Sequence, residues 1–150
     1  MIYLGILISI FYLAILVWLS SGITQVPKNK NPAFLPGVSI IISAHNEQKN
    51  ITNLLESIIN QQYLGEYEVL IANDRSNDLT KKNIKDYSEN YNYIQLIDIK
   101  ETAIGWGNKK WALNQCINKS KYNIILQTDA DCIPKRNWIS SMVNGFSDPD

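Results

Sequence analysis

An apolar run, Ile124-Ile125-Leu126, leads within three residues to Asp129-Ala130-Asp131. Two carboxylates spaced i, i+2 after a short β-branched stretch can offer hard oxygen ligands to a divalent cation. Mg²⁺ or Mn²⁺ suits such donors better than Zn²⁺, which prefers nitrogen and sulfur. The same tripeptide also reads as a polar turn closing a strand, because Asp is common in turns. Lys109 and Lys110 stand at the start of a helical stretch, where the macrodipole disfavours cations. Lysines placed against that gradient point to an anion nearby, such as a diphosphate; the alternative is a solvated pair. Asp74 ends a second apolar run, too early to cap the helix that follows. It is a candidate for a nucleotide's ribose or base, or for a surface ion pair with Arg75. Asn46 and Glu47 follow a third apolar run, as ligands or as a helix cap and a residue favouring the helix's positive end.

The elements that must carry these groups alternate strand and helix. Val38–Ser43 is Ile-rich without polar alternation, as expected of an interior parallel strand. Ile51, Leu54, Leu55, Ile58 and Ile59 then fall at i, i+3, i+4, i+7 and i+8, a helical stripe that packs on a sheet. Tyr67–Ala72 predicts a second buried strand, followed by Asp78 as a cap and a polar helix over 81–90 with Ile84 and Tyr87 as its apolar contacts. Tyr93–Asp98 predicts a third strand. Gly105 and Gly107, which let backbone approach a ligand closely, precede a helix that includes Trp111–Ile117. Ile124–Leu126 predicts a fourth, buried strand. Pro134 suits the first turn of a last helix running through Trp138, Ile139, Met142 and Val143 to about Gly145. Alternating strands and helices imply an α/β fold with a mostly parallel, Rossmann-like sheet, and ligands then collect at the carboxyl ends of the strands. Neither a Walker loop nor a Gly-x-Gly-x-x-Gly after the first strand is present, which argues against a dinucleotide cofactor.

Composition narrows the class. The 150 residues carry 14 basic and 14 acidic side chains, so no basic excess exists to neutralise a nucleic acid. Cys116 and Cys132 form no Cys-x-x-Cys pattern, and each reads as a small buried residue. Ile2–Leu19 lacks any charge. Its length at 1.5 Å per residue is about 27 Å, close to the hydrocarbon thickness of a bilayer, and extension to Ile23 makes the fit comfortable. Trp18 stands where an interfacial aromatic is expected, and Met1-Ile2-Tyr3 supplies no basic region of a cleaved signal. Residues 1–23 are therefore expected to be a single-pass anchor in the membrane lipid bilayer. Lys28 and Lys30 after it place the remainder on the cytoplasmic side. Residues 24–37, with Pro27, Pro32 and Pro36, form a linker, and residues 38–150 the globular part.

In order and spacing, His45-Asn46-Glu47, Asn73-Asp74-Arg75-Ser76-Asn77-Asp78, Asn108-Lys109-Lys110-Trp111-Ala112-Leu113-Asn114 and Asp129-Ala130-Asp131 resemble the N-terminal half of a family 2 glycosyltransferase with the GT-A fold. The resemblance covers Val38 to about Phe146. It implies a nucleotide diphosphate sugar donor, a UDP- or GDP-sugar, a divalent cation, and transfer to an acceptor with inversion. By resemblance Glu47 is the acidic residue at the nucleotide site, near Ala44 and Asn46, and Asp74 contacts the base. Lys109 corresponds to the family's Gly-Lys lysine, with Asn108 in place of the glycine. Asp129 and Asp131 correspond to the Asp-x-Asp motif, Asp131 as direct metal ligand and Asp129 toward the sugar or ribose. The family's general base and its Gln-x-x-Arg-Trp type motif lie well beyond Asp131, so the chain is expected to be the donor-binding half, with the base beyond Asp150. The sequence does not name the sugar or the acceptor. Two other readings remain: a binding module or truncated fragment without transfer activity, and, third in rank, a sugar-nucleotide-forming nucleotidyltransferase, whose Gly-rich basic signature is missing from Ser43-Ala44-His45-Asn46-Glu47.

Overall fold

The computed structural model describes residues 2–23 and 34–146. Residues 24–33, with Lys28, Lys30 and the first two linker prolines, lie outside the described residues, as do 147–150. The N-terminal helix α1 (Ile2–Ile23) has apolar side chains on every face, and they are exposed throughout Tyr3–Ser20. Its 18-residue window Tyr3–Ser20 is long and apolar enough to cross a membrane.

From Val38 onward strands and helices alternate: β1 (Val38–Ala44), α2 (Ile51–Ile59), β2 (Tyr67–Asp74), α3 (Thr80–Asn90), β3 (Ile94–Ile99), α4 (Asn108–Lys119), β4 (Ile124–Asp129) and α5 (Trp138–Val143), which runs into a single 3₁₀ turn at Asn144–Phe146. All four strands are parallel, in the order β3-β2-β1-β4. Parallel strands alternate their side chains between two covered faces. Ile40, Ile42, Val69 and Ile71 pack with the α2 stripe Ile51, Leu54, Leu55 and Ile58, and with Ile84 and Ile139. Ile41, Leu70, Ala72, Ile97 and Ile99 pack on the opposite face with Ala112 and Cys116 of α4. Truncating any one of these buried isoleucines to Ala would cost roughly 2–5 kcal/mol.

The β1–β4 register puts Ser43 opposite Asp129. It is secured from the far end of the sheet by a buried Glu68. Its carboxylate accepts from Ser39 Oγ at 2.6 Å and from the Lys121 amide at 2.5 Å, and the Tyr122 amide donates to Ser39 Oγ at 3.1 Å. The carboxyl end is held by Asp98, which accepts from Asn73 Nδ2 at 2.9 Å and from Lys81 Nζ at 2.7 Å, and pairs with Lys100.

Several expectations need correction. The fourth strand is an edge strand among the described residues, with Ile124 and Ile125 half-buried and only Leu126 buried of the three; β1 covers one side of it. Pro134 lies four residues ahead of α5 rather than in its first turn. Residues 135–136 are instead tied to the end of α2: Gln61 Nε2 donates to the Lys135 carbonyl and the Gln62 amide to the Arg136 carbonyl. The Gln61 amide oxygen in turn accepts from the Ile139 N–H, so tertiary contacts decide where α5 begins. Cys132 is exposed, because it lies in the turn beyond β4. The third strand runs one residue later than its alternation predicted, and the segment before β1 is part of the packing, with Phe34 against the core.

Cys116 is buried and its thiol is pushed up to about 11, because burial disfavours the thiolate. Native protein is therefore expected to alkylate at Cys132 alone, with Cys116 reacting only on denaturation; mass spectrometry after iodoacetamide at pH 8 checks this. For Asp98, burial is outweighed by hydrogen bonds from Lys100, Lys81 and Asn73, which hold its carboxyl well below the ordinary range. A depressed folded-state value means that the stabilisation is present above about pH 4 and lost as pH falls toward that value. Asp98→Asn should lower stability at pH 7 by about 1 kcal/mol and flatten the acid limb of the unfolding curve.

Candidate functional site

Strand order reverses between β1 and β4, since β2 and β3 add on one side of β1 and β4 on the other. The two loops leaving adjacent strands at such a switch point diverge, and a crevice opens at their carboxyl ends. A cleft of about 350 Å³ lies there, lined by Ser43, His45, Glu47, Asp74, Asn108, Lys109, Asp129, Ala130 and Asp131. Each lining residue ends a strand, follows one, or opens α4. Alternation in the sheet explains the grouping: Ser43, Asp74 and Asp129 belong to the face that α4 covers, and α4 presents its N-terminus to them.

The acidic pair at the end of β4 therefore faces the same crevice as Glu47 and Asp74. Lys109, in the first turn of α4, donates from Nζ to Asp129 Oδ1 at 2.7 Å. This hydrogen bond, with the nearby charge of Asp131, raises Lys109 above its ordinary value. The anion that compensates a lysine at a helix N-terminus is thus Asp129 in this state. Asp131 forms no ion pair among the described residues; its carboxylate accepts a long contact from Cys132 Sγ at 3.9 Å. Asp74 is 5% exposed, and Arg75 places Nε 2.8 Å and a terminal nitrogen 2.7 Å from its Oδ1, so the ion pair expected as an alternative forms.

Ala44 and Asn46 do not line the cleft. Ala44 is fully buried at the end of β1. Asn46 has φ 56°, a left-handed conformation that Asn tolerates better than most residues, and it is not the cap of α2, since Asn50 holds that position. Glu47 accepts instead from Asn50 Nδ2 at 2.7 Å through its carboxylate. Asp78 is not the cap it was expected to be, since Leu79 holds that position at the start of α3; its carboxylate accepts from the Thr80 amide at 2.9 Å from one residue further out. Gly105, with φ 85°, supplies a turn that an L side chain would strain, while Gly107 has open space where a Cβ would sit. Sequence reasoning passed over His45, Ser43 and Asn108 as cleft residues. Nothing local marks Ser43, which becomes recognisable only as the register partner of Asp129 once β1 and β4 are adjacent.

As a metal site the cleft is open. Among the described residues no three of His, Cys, Asp and Glu converge into a cage. Asp129 and Asp131 nevertheless fit a cation that keeps several waters and is held by one or two carboxylates together with substrate phosphates, the usual habit of Mg²⁺.

The sequence model of glycosyl transferase family 2 matches residues 39–150, and the chain belongs to that family. It is 33% identical over 124 residues to a probable glycosyltransferase, YdaM, of Bacillus subtilis, covering 81% of this chain and 29% of that protein. It is 32% identical over 114 residues to the glycosyltransferase AglE of Haloferax volcanii, covering 75% and 36%. Among solved structures it resembles the mannosyltransferase PcManGT from Pyrobaculum calidifontis, in complex with GDP-Man and Mn²⁺, with a TM-score of 0.74, 25% identity, and coverage of 91% of this chain and 40% of that one. The fold is accordingly of the GT-A type, a Rossmann-like parallel sheet with flanking helices. The chain spans about a third of the length of the curated relatives it matches.

Carboxylates gathered without enough cations repel one another. Asp131→Asn should therefore raise Tm of the metal-free protein by about 1–3 °C. Asp129→Asn, which strands Lys109, should not. Differential scanning fluorimetry in EDTA compares the two, and a lower Tm for Asp131→Asn would contradict the repulsion.

Proposed function

We propose that this chain is the donor-binding part of a membrane-anchored glycosyltransferase, which moves a sugar from a nucleotide diphosphate sugar to an acceptor with inversion at the anomeric carbon. The observation that carries this reading is the convergence of Glu47, Asp74, Lys109, Asp129 and Asp131 on one cleft at the switch point of the sheet. The similar mannosyltransferase, solved in complex with GDP-Man and Mn²⁺, supports a nucleotide sugar as ligand and a divalent cation as its companion. In this reading Glu47 and Asp74 receive the nucleoside, with Ala44 and Asn46 shaping the loop beneath it. Lys109 meets the diphosphate, Asp129 the sugar or ribose, and Asp131, with Asp129 beside it, holds Mg²⁺ or Mn²⁺.

The electrostatics favour a cation-borne donor. Four carboxylates face the cleft against Lys109 and the Arg75 that pairs with Asp74. A bare diphosphate entering a net negative crevice would be repelled. A divalent cation bound with the donor offsets that charge and stabilises the departing diphosphate. Lys109 shifts its hydrogen bond from Asp129 toward the phosphate, which frees Asp129 to accept from a sugar hydroxyl. α1 supplies the anchor, with the domain on the cytoplasmic side.

Calorimetry on the full chain in nanodiscs tests the donor site. GDP-mannose or UDP-GlcNAc should bind in Mn²⁺, and EDTA or Asp131→Ala should weaken binding at least tenfold, a loss of about 1.4 kcal/mol or more. Equal affinity with and without metal would remove the cation from the assignment, and binding without sugar release on prolonged incubation with acceptors would favour the binding-module reading. For the anchor, the chain should stay with membranes through a carbonate wash, and Leu13→Lys, at the centre of α1, should release it.

A further inference from the structure

The chain's single histidine lies between two of the groups assigned to the donor, and nothing in the proposed chemistry uses it. His45 Nδ1 sits 2.5 Å from the backbone carbonyl oxygen of Asp74. A carbonyl can only accept, so Nδ1 carries the proton. His45 Nε2 lies 3.2 Å from Asn46 Nδ2. The orientation of that amide is fixed from its other end, because the Asn77 N–H donates to Asn46 Oδ1 at 2.8 Å. Turning the amide over would set two donors against each other there. Asn46 therefore points its NH₂ at the ring, and Nε2 must accept.

We propose that His45 is a positioning residue: held as the neutral Nδ1–H tautomer by Asn46, it ties the β1–α2 loop to the end of β2 and fixes Glu47 relative to Asp74. The relay runs Asn77 N–H to Asn46, Asn46 to His45, and His45 to the Asp74 carbonyl. Parallel bonds reinforce it, since the Asn46 amide donates to Ser76 Oγ and the Glu47 amide to Thr80 Oγ1. The left-handed φ of Asn46 is the local cost, and it is what turns the side chain back over the ring. Pre-organised spacing between two ligand-binding groups removes an ordering cost from binding. The charged groups sharing the cleft with the ring are Glu47 on its own loop, Asp74 from β2, Lys109 from α4, Asp129 at the end of β4 and Asp131 just beyond it, with Arg75 paired to Asp74.

The functional part of this inference rests on the donor reading above; the tautomer does not, and the two are tested separately. The amide nitrogen of Asn can occupy the place of Nδ1, while that of Gln reaches the place of Nε2. On the full chain in nanodiscs, His45→Ala should weaken GDP-mannose or UDP-GlcNAc binding about tenfold. His45→Asn should restore it to within about threefold of the wild type, and His45→Gln should remain as weak as Ala. Independently, ¹⁵N NMR of the ring at pH 7.5 should give a protonated Nδ1 and an unprotonated Nε2, and Asn46→Ala should relax that preference. An Nε2–H tautomer or an imidazolium in the wild type overturns the proposal, as does His45→Ala with unchanged affinity or His45→Asn no better than Ala. If the wild type binds neither donor, the donor reading and the positioning role built on it fail, and the ring spectrum still decides the relay.

Discussion

Parallel strand pairing is the constraint from which the rest of the domain follows. A chain that pairs β1 with β2, β2 with β3 and β1 with β4 in parallel must return to the same edge each time through a covering segment. Every strand then delivers its last residues to one edge. Because the order doubles back at β1, the last residues of β1 and β4 flank a gap that no helix fills. Ser43 and Asp129 meet there as register partners, Asp74 arrives from β2, and α4 brings Lys109 from the covering layer. Positions as far apart in sequence as Ser43 and Asp129 become neighbours without any long-range device beyond the ladder itself.

That geometry also concentrates charge. The carboxylates cluster where the interior ends and solvent begins, and only some have a cation in contact: Asp129 has Lys109 and Asp74 has Arg75. Glu47 turns to Asn50, and Asp131 has the weak thiol contact of Cys132. A fold selected only for stability would not gather such a set. In the proposed reading that surplus of negative charge receives a cation and the anion it carries. Elsewhere in the same sheet, Glu68 and Asp98 are saturated by donors and hold the strand ends in place.

Much of this was legible in the residues, for physical reasons that differ by element. The α2 stripe was clear because five apolar positions at helical spacing have no other economical burial. β1 and β2 were clear because both faces are covered, so Ile40–Ile42 and Val69–Ala72 run without polar interruption. The boundaries of β4 and α5 were not. β4 carries an interior strand's composition into an edge position, and α5 starts where Gln61 and Gln62 grip the preceding segment from across the fold. Asp74 stood out because it comes too early to cap the following helix, and Lys109 because it opposes the helix dipole, whereas Glu47, Asp129 and Asp131 had equally local readings at a helix end or in a turn. His45 and Ser43 could not, since nothing local sets a histidine after a strand apart. Their meaning appears only once β1 lies between β2 and β4.

Arg75 occupies a left-handed backbone conformation, with φ 52°, that costs an ordinary L-residue about 1–2 kcal/mol relative to glycine. Gly or Asn at this position would relieve that strain. Either exchange would strip Asp74 of its only ion-pair partner among the described residues and leave a nearly buried carboxylate uncompensated. Breaking that pair costs more than the strain it relieves, so a variant library scored on thermal tolerance alone would be expected to keep the strained arginine, and with it the charge balance at the Asp74 end of the cleft.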